Sequence, residues 1–171
     1  MFRIRIAAAL AAALASTALV PAAPAVALPA WEDHATSWTN PDAREPKVVN
    51  LRYGAHQNFD RVVIDIQGRM PGGRIHYAKN FFYDGSGEPV PIKGKAGLAL
   101  ALNPAVAHNH AGDSVYDGPR IARPHLDTLK AIAFTGDFEG YVSFAFALTH
   151  RAQYRVFTMY DPLRLVIDFR H

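Results

Sequence analysis

The chain has 171 residues, half of them hydrophobic, and contains no cysteine. The lack of cysteine excludes disulfide bonds and thiolate metal sites. The formal charge is +3, but two of the 18 basic side chains, Arg3 and Arg5, lie in a leader-like segment, which leaves 16 basic against 15 acidic side chains in the rest. With a charge so close to zero and no run of Lys and Arg, the composition gives no sign of nucleic-acid binding.

Residues 1–27 have the layout of a secretory signal peptide. Arg3 and Arg5 form a short basic region, residues 6–20 are almost wholly apolar, and Ala25-Val26-Ala27 forms a cleavage box. The apolar run is short for a transmembrane helix, so an uncleaved anchor is the less favoured alternative. We therefore predict a mature protein that is secreted or held in the cell wall or periplasmic space, with no membrane span.

Residues 28–46 are predicted to form a linker, because three prolines interrupt regular structure and no apolar period appears. The chain's only tryptophans, Trp31 and Trp38, lie in this segment. Large aromatic side chains rarely stay exposed, which favours packing of one or both onto the domain edge. The alternative is that they form stacking surfaces for a sugar or a partner.

One strand-like phrase occurs twice, at residues 61–66 (RVVIDI) and 164–169 (RLVIDF). In both copies apolar residues alternate with a row that carries an Arg and an Asp, which is the period of a β-strand with one face on a core. We therefore expect Ile64 and Ile167 in the core, and the charged row, which includes Asp168, outside it. Two such strands near opposite ends of one domain suggest two similar sheets that face each other.

Short predicted strands separated by turn sequences fill the rest of the chain, residues 47–171, which we predict to be one domain. Residues 141–148 alternate most regularly, with Tyr141, Ser143 and two alanines on the face opposite the large apolar side chains. Residues 125–130 suggest a single helical turn. The pattern predicts an all-β sandwich of about eight strands. The predicted strands are 48–53, 61–67, 74–78, 97–102, 131–135, 141–148, 154–160 and 163–169.

The longest irregular stretch, residues 104–124, contains a pattern that resembles a metal site. His108, His110 and Asp113 offer two imidazoles and a carboxylate, which are reasonable zinc ligands. The Asp lies one place later than in the hydrolases that use this motif, so a polar loop is the simpler interpretation. Long loops in compact domains are nevertheless often functional.

Other catalytic patterns are weaker. Ser86 lies in a Gly-Ser-Gly turn without the preceding glycine and following helix of a nucleophile elbow. The carboxylate pairs Asp137/Glu139 and Asp65/Asp168 resemble the acid pairs of glycosidases. A turn explains the first pair, and charge pairing with Arg on the strands explains the second. We therefore predict a non-catalytic protein without a metal or other cofactor.

From residue 59 to the end, the sequence carries a series of short motifs in a fixed order. They are Phe59-Asp60-Arg61-Val62-Val63 with Asp65, Pro71-Gly72 with Arg74 and Tyr77, Gly85-Ser86-Gly87-Glu88-Pro89-Val90, Pro104-Ala105-Val106-Ala107-His108, Gly136-Asp137-Phe138-Glu139-Gly140, Phe157, Asp161-Pro162 and Arg164-Leu165-Val166-Ile167-Asp168. In this combination the sequence resembles the AMIN-like domain of secreted bacterial envelope proteins, a relative of the AMIN domain. The resemblance implies a β-sandwich. It also implies an accessory role, since AMIN domains accompany cell-wall amidases and secretin pores and are associated with peptidoglycan binding.

Two classes of function follow from these observations. The first is a non-catalytic envelope domain that binds peptidoglycan or another wall glycan through aromatic faces and the forks of Arg and carboxylate side chains. The second is a protein-interaction module for an extracytoplasmic partner, with an exposed strand edge as the contact. A weak metal-dependent hydrolase is a distant third. The candidate ligand-binding residues are Arg61, Tyr77, Asp137, Glu139 and Arg164.

Overall fold

The computed structural model describes residues 27–171, which form two antiparallel β-sheets and no helix. Within this part of the chain there is accordingly no helix that has the length and apolar character to span a membrane. The larger sheet has the strand order β1-β4-β5-β8-β7-β6, and the smaller has the order β2-β3-β10-β9. The strands are β1 (Thr36–Trp38), β2 (Lys47–Ala55), β3 (Phe59–Gln67), β4 (Gly72–Tyr77), β5 (Ala96–Asn103), β6 (Ile121–Ala122), β7 (Leu129–Phe138), β8 (Tyr141–Leu148), β9 (Tyr154–Met159) and β10 (Arg164–Arg170).

The predicted sandwich and all eight predicted strands are confirmed, and β1 and β6 are additional. The two echoed phrases do not represent two facing sheets: they are β3 and β10, which pair with each other in the smaller sheet. The helical turn predicted over residues 125–130 is wrong. His125 adopts a left-handed φ of 52°, and the backbone turns back on itself through a hydrogen bond from Leu126 N to Leu129 O before β7 begins.

The core lies between the sheets and follows directly from the alternation in each strand. Ile64 and Ile167, both 0% exposed as predicted, face the larger sheet from β3 and β10. Large apolar side chains of that sheet, such as Phe146 on β8, fill the space opposite them. Phe146 packs on Phe169 with ring centroids 5.3 Å apart. The alternate residues of the larger sheet are therefore turned to its outer face.

The outer face of the larger sheet carries small residues and is only partly covered. The connection between β4 and β5, residues 78–95, folds back over it and packs Phe81, Val90 and Ile92 onto alanines of β7 and β8. Because the alanine side chains are short, this connection lies close to the sheet. The part of the outer face that it leaves uncovered forms the depressions described below.

The segment 28–46, for which the prolines predicted an irregular linker, contains β1, which pairs with β4. Both tryptophans pack on the domain, as favoured above. Trp38 donates a hydrogen bond from Nε1 to Pro71 O (2.9 Å), and the Trp31 ring lies 4.4 Å from the Arg155 guanidinium carbon. Residues 1–26, nearly all of the predicted signal peptide, lie outside the described residues, so the leader and the exact domain boundaries stay predictions.

Candidate functional site

Arg61 is held in a buried ion-pair cluster on the outer face of the smaller sheet. Its guanidinium donates two hydrogen bonds to Asp168, at 2.6 and 2.9 Å, and Arg155 donates a third to the same carboxylate at 2.7 Å. Asp168 lies outside the core between the sheets, as predicted, but its side chain is nevertheless 0% exposed, which the sequence did not indicate. The two guanidinium groups compensate the buried charge, and the rings of Trp31 and Phe59 cover them.

Arg164 lies on the same face of the smaller sheet but makes no carboxylate contact within the described chain. It stands opposite Asp65 in the strand register, yet Asp65 accepts hydrogen bonds of 3.0 and 2.6 Å from Arg52 instead. Arg164 donates from Nε to Pro162 O at 3.0 Å. Its Nη2 also donates to Tyr160 O at 3.5 Å. Of the other candidate residues, Arg164 shares a sheet face only with Arg61 and does not contact it.

Tyr77 is the last residue of β4, in the larger sheet, and lies away from Arg61 and Arg164. Its hydroxyl donates to Ala152 O at 2.6 Å, and its ring is covered by the Arg151 guanidinium, whose carbon is 3.6 Å from the ring centroid. Burial raises the pKa of the Tyr77 hydroxyl, with the charge of Arg151 acting in the opposite direction. The structure thus pairs Tyr77 with Arg151, not with Arg61 or Arg164.

Asp137 and Glu139 belong to the end of β7 and its turn into β8. Glu139 is exposed and adopts a left-handed φ of 48°, so it shapes the turn. Asp137 instead turns inward, and its Oδ2 lies 2.7 Å from Nδ1 of His108. The other oxygen of Asp137, Oδ1, is buried without a hydrogen-bond partner within residues 27–171. The carboxylate thereby orients the imidazole and leaves Nε2 of His108 available.

A cleft of about 550 Å³ opens beside this pair at the uncovered edge of β7. The loop that precedes β6 supplies His108 and Arg120, as the length of that loop suggested. The guanidinium carbon of Arg120 lies 4.6 Å from the centroid of the Phe134 ring, and its closest polar contact is Ser114 Oγ at 3.5 Å. Among residues 27–171 it forms no ion pair, so a planar cation faces the cleft with free donors. The other lining residues are Tyr83, Gly112, Ser114, Phe134, Thr135, Gly136 and Asp137.

Two further depressions lie on the outer face of the larger sheet, next to this cleft. The first, of about 280 Å³, shares Thr135 with the cleft, and the second, of about 630 Å³, shares Ala101 with the first. We call the three together the outer groove. Small outward-facing residues such as Ser143 form its floor. The polar and aromatic side chains along it include His76, Phe82 and Asp84 in the first depression and Asn40, Arg74, Asn103 and Tyr141 in the second.

Exposed aromatic rings lie along the outer groove. Phe82 is 54% exposed and Tyr141 is 47% exposed, whereas Phe138, the strand partner of Tyr141, is 52% exposed but does not line the groove. His76 is set deeper: its Nδ1 is buried without a partner in the described chain, and its pKa is lowered by burial and, second, by the charge of Arg74. The groove therefore combines flat apolar surfaces with neutral and charged hydrogen-bonding groups.

A model of the AMIN-like domain matches residues 46–171. The chain belongs to the AMIN-like domain family. The match covers both sheets except β1, and it includes every residue of the cleft between His108 and Asp137. A search of curated proteins returns no match to the chain.

The metal and nucleophile patterns do not assemble in this AMIN-like domain. Asp113 accepts from Asn109 Nδ2 at 3.1 Å, while His108 pairs with Asp137. In the described part of the chain no three His, Asp or Glu side chains come together as a metal site. Ser86, the serine considered as a nucleophile, lies in an exposed turn, where its hydroxyl oxygen accepts a hydrogen bond from Glu88 N at 3.2 Å.

Sequence reasoning identified Asp137 as a binding candidate and His108 as part of a possible metal pattern, but it did not identify Arg120, His76 or Tyr141. Arg120 and His76 carry no local signal, since each is a single polar residue in a loop or a strand. Tyr141 did have a signal: it begins the outward row of the most regular strand, and a large ring on a row of small residues indicates an exposed aromatic. The match to the family does not by itself assign a role to any of these residues.

Proposed function

We propose that this AMIN-like domain is a non-catalytic domain of the bacterial cell envelope that binds the glycan strands of peptidoglycan, or a related wall glycan, in the outer groove. The observation that carries the proposal is the groove itself, in which three depressions with shared lining residues lie next to one another. A polymer occupies such a series of subsites, whereas a small ligand fills one enclosed pocket. Membership of the family agrees with an accessory envelope role.

The aromatic rings supply the apolar part of sugar recognition. Tyr141 and Phe82 present exposed rings in successive depressions. The apolar face of a pyranose ring packs on a flat aromatic surface, and burial of a large ring contributes more than a rim contact. The small side chains of the floor, such as Ala101, leave room for the sugar between these rings.

The polar groups supply orientation. Arg74 is exposed in one end depression, and Arg120 faces the cleft at the other end. Each guanidinium offers a fork for hydroxyl or carboxylate oxygens, and His108 adds a ring nitrogen beside Arg120. The lactyl and peptide carboxylates of a wall polymer are suitable partners for these forks. Asp137 acts as a positioning residue, since it orients His108.

The predicted leader supports the location of the proposed activity. A secretory signal peptide over residues 1–27 delivers the domain to the compartment that holds the wall. The mature chain would then be secreted, wall-associated or periplasmic. The residues around the groove use no metal in this proposal, and binding is expected to survive EDTA.

Co-sedimentation of the purified protein with wall sacculi tests the proposal. Tyr141→Ala and Arg120→Ala are expected to weaken binding at least about fivefold each, which is the range of a central contact. Tyr160→Ala is the matched control, because this ring is 71% exposed but is not part of the groove. Circular dichroism verifies that the variants remain folded.

The opposite face is tested in the same assay with Arg164→Ala. If Arg61 and Arg164 bind the ligand, as the sequence predicted, the ligand lies on the smaller sheet. Loss of binding in Arg164→Ala, with normal binding in Tyr141→Ala and Arg120→Ala, would therefore overturn the groove as the site. Wild-type protein that stays in the supernatant would overturn glycan binding altogether and favour the protein-interaction module.

A further inference from the structure

We infer that the protein has a second, separate ligand site: a pocket for a phosphate group, formed by Lys79, Lys95 and Arg151 around the ring of Tyr77. The pocket has a volume of about 310 Å³, and Ala78 is the one residue that it shares with the first depression of the outer groove. The remaining lining residues, Ala78, Ala96 and Gly97, carry no charge.

The fold brings together three cations that are far apart in the sequence. The ends of β4, β5 and β8 meet at one end of the larger sheet. A hydrogen bond of 3.0 Å from Ala78 N to Gly97 O extends the β4–β5 pairing, which places Lys79 opposite Ala96 and beside Lys95. Lys95 N donates to Leu148 O at 2.9 Å, and Arg151 follows just after the end of β8.

Arg151 is fixed in place. Its guanidinium stacks on Tyr77 with the carbon 3.6 Å from the ring centroid, and its Nη2 donates to the main-chain oxygen of Asp33 at 2.8 Å. The Asp33 side chain lies 3.3 Å from His34 and is not part of the pocket lining. A stacked, anchored guanidinium loses little further freedom when it binds an anion.

The pocket has a net positive charge, although the Asp33 carboxylate lies near enough to contribute to the raised pKa of the Tyr77 hydroxyl. In the described part of the chain none of the three cations forms an ion pair, and no acidic side chain lines the cavity. Cations placed side by side repel each other, which is a cost to the folded protein that a bound anion removes. Such an accumulation is unusual in a chain with 16 basic against 15 acidic side chains beyond the predicted leader.

Phosphate fits this arrangement better than a carboxylate. A phosphate monoester carries about −1.5 to −2 charges at neutral pH and has three strong acceptor oxygens, so one group can engage all three cations. A single carboxylate has one charge and leaves most of the positive charge uncompensated. The phosphate can belong to a small phosphorylated molecule, as a monoester, or to a wall polymer of phosphodiesters. Each diester carries one charge and two free oxygens, so a polymer would need two successive phosphates at the pocket to match its charge.

Isothermal titration calorimetry with three probes distinguishes these sources. We expect sodium phosphate to bind and sodium acetate to bind at least about tenfold more weakly. Tighter binding of a poly(glycerol phosphate) chain than of sodium phosphate would identify the polymer as the source, and equal binding would identify the isolated group. Failure of both phosphate probes to bind would overturn the inference.

Two variants are expected to weaken phosphate binding at least about tenfold each. One is the double variant Lys79→Gln/Lys95→Gln, and the other is Arg151→Gln. Lys130→Gln is the matched control, because Lys130 is an exposed lysine on β7 and not part of the pocket. Equal binding by the double variant and the control would overturn the site. The groove variants Tyr141→Ala and Arg120→Ala leave this pocket intact and should bind phosphate as the wild type does. Failure of the phosphate pocket can therefore be distinguished from failure of glycan binding in the groove.

Discussion

Arg61 and Asp168 stand opposite each other on β3 and β10 and are joined by two hydrogen bonds of 2.6 and 2.9 Å. Arg155 approaches the same carboxylate from β9 at 2.7 Å. The cluster ties three of the four strands of the smaller sheet together through one buried anion. Because removal of one member leaves buried charges unpaired, the cluster has a clear consequence for stability.

Asp168→Asn is expected to lower the free energy of unfolding by about 3–5 kcal/mol, since it leaves two largely buried guanidinium groups without a counter-charge. The matched control is Asp65→Asn on the neighbouring strand. Its partner Arg52 is more than half exposed, so the loss there should be below about 1 kcal/mol. Urea denaturation followed by circular dichroism measures both. Equal losses in the two variants would contradict the buried cluster.

Ile64→Ala and Ile167→Ala are each expected to cost about 2–5 kcal/mol, because both side chains are fully buried between the sheets. The same denaturation measurement applies. Val63, a half-buried neighbour on the other face of β3, provides the comparison, and Val63→Ala should cost less. A loss below about 1 kcal/mol at both isoleucines would show that the strand faces are assigned wrongly.

His76 makes stability depend on pH. Its pKa is lowered in the folded protein by burial and by the Arg74 charge, so the unfolded chain binds the proton more readily. The stability from this group is thus fully present above the unfolded pKa of about 6.5 and is lost as the pH falls toward the lower folded value. Urea midpoints between about pH 7.5 and about pH 5 should fall less steeply in His76→Gln than in wild type. His150→Gln, at an exposed site, should retain the wild-type slope.

The predicted signal peptide is tested by the mass of the exported protein. Cleavage after Ala27 should give a mature chain that begins at Leu28. Intact-mass spectrometry of protein from the culture medium or periplasm measures this directly. A mass that retains residues 1–27 would contradict cleavage and favour the anchor.

The sequence was sufficient to predict the sandwich because each long strand carries its own alternation and its own turn signals. The sequence was not sufficient to predict that Asp168 is buried. That burial depends on Arg155 and on Trp31, which comes from the segment predicted to be a linker. The candidate site residues show the same division. Asp137 was chosen as a candidate because its carboxylate can bind sugar hydroxyls, whereas its contact with His108 depends on how the long loop folds. The phosphate pocket could not be predicted because its cations meet only where three strands end.

NMR titration of the labelled protein with soluble glycan strands tests directly whether glycan binds along the outer groove. Backbone amides of Ala99, Ala101 and Ser143 are expected to shift, together with that of Thr135, where the cleft and the first depression join. Amides on the outer face of the smaller sheet, around Val166, should stay unchanged. Shifts confined to the smaller sheet, or none at saturating glycan, would contradict the account.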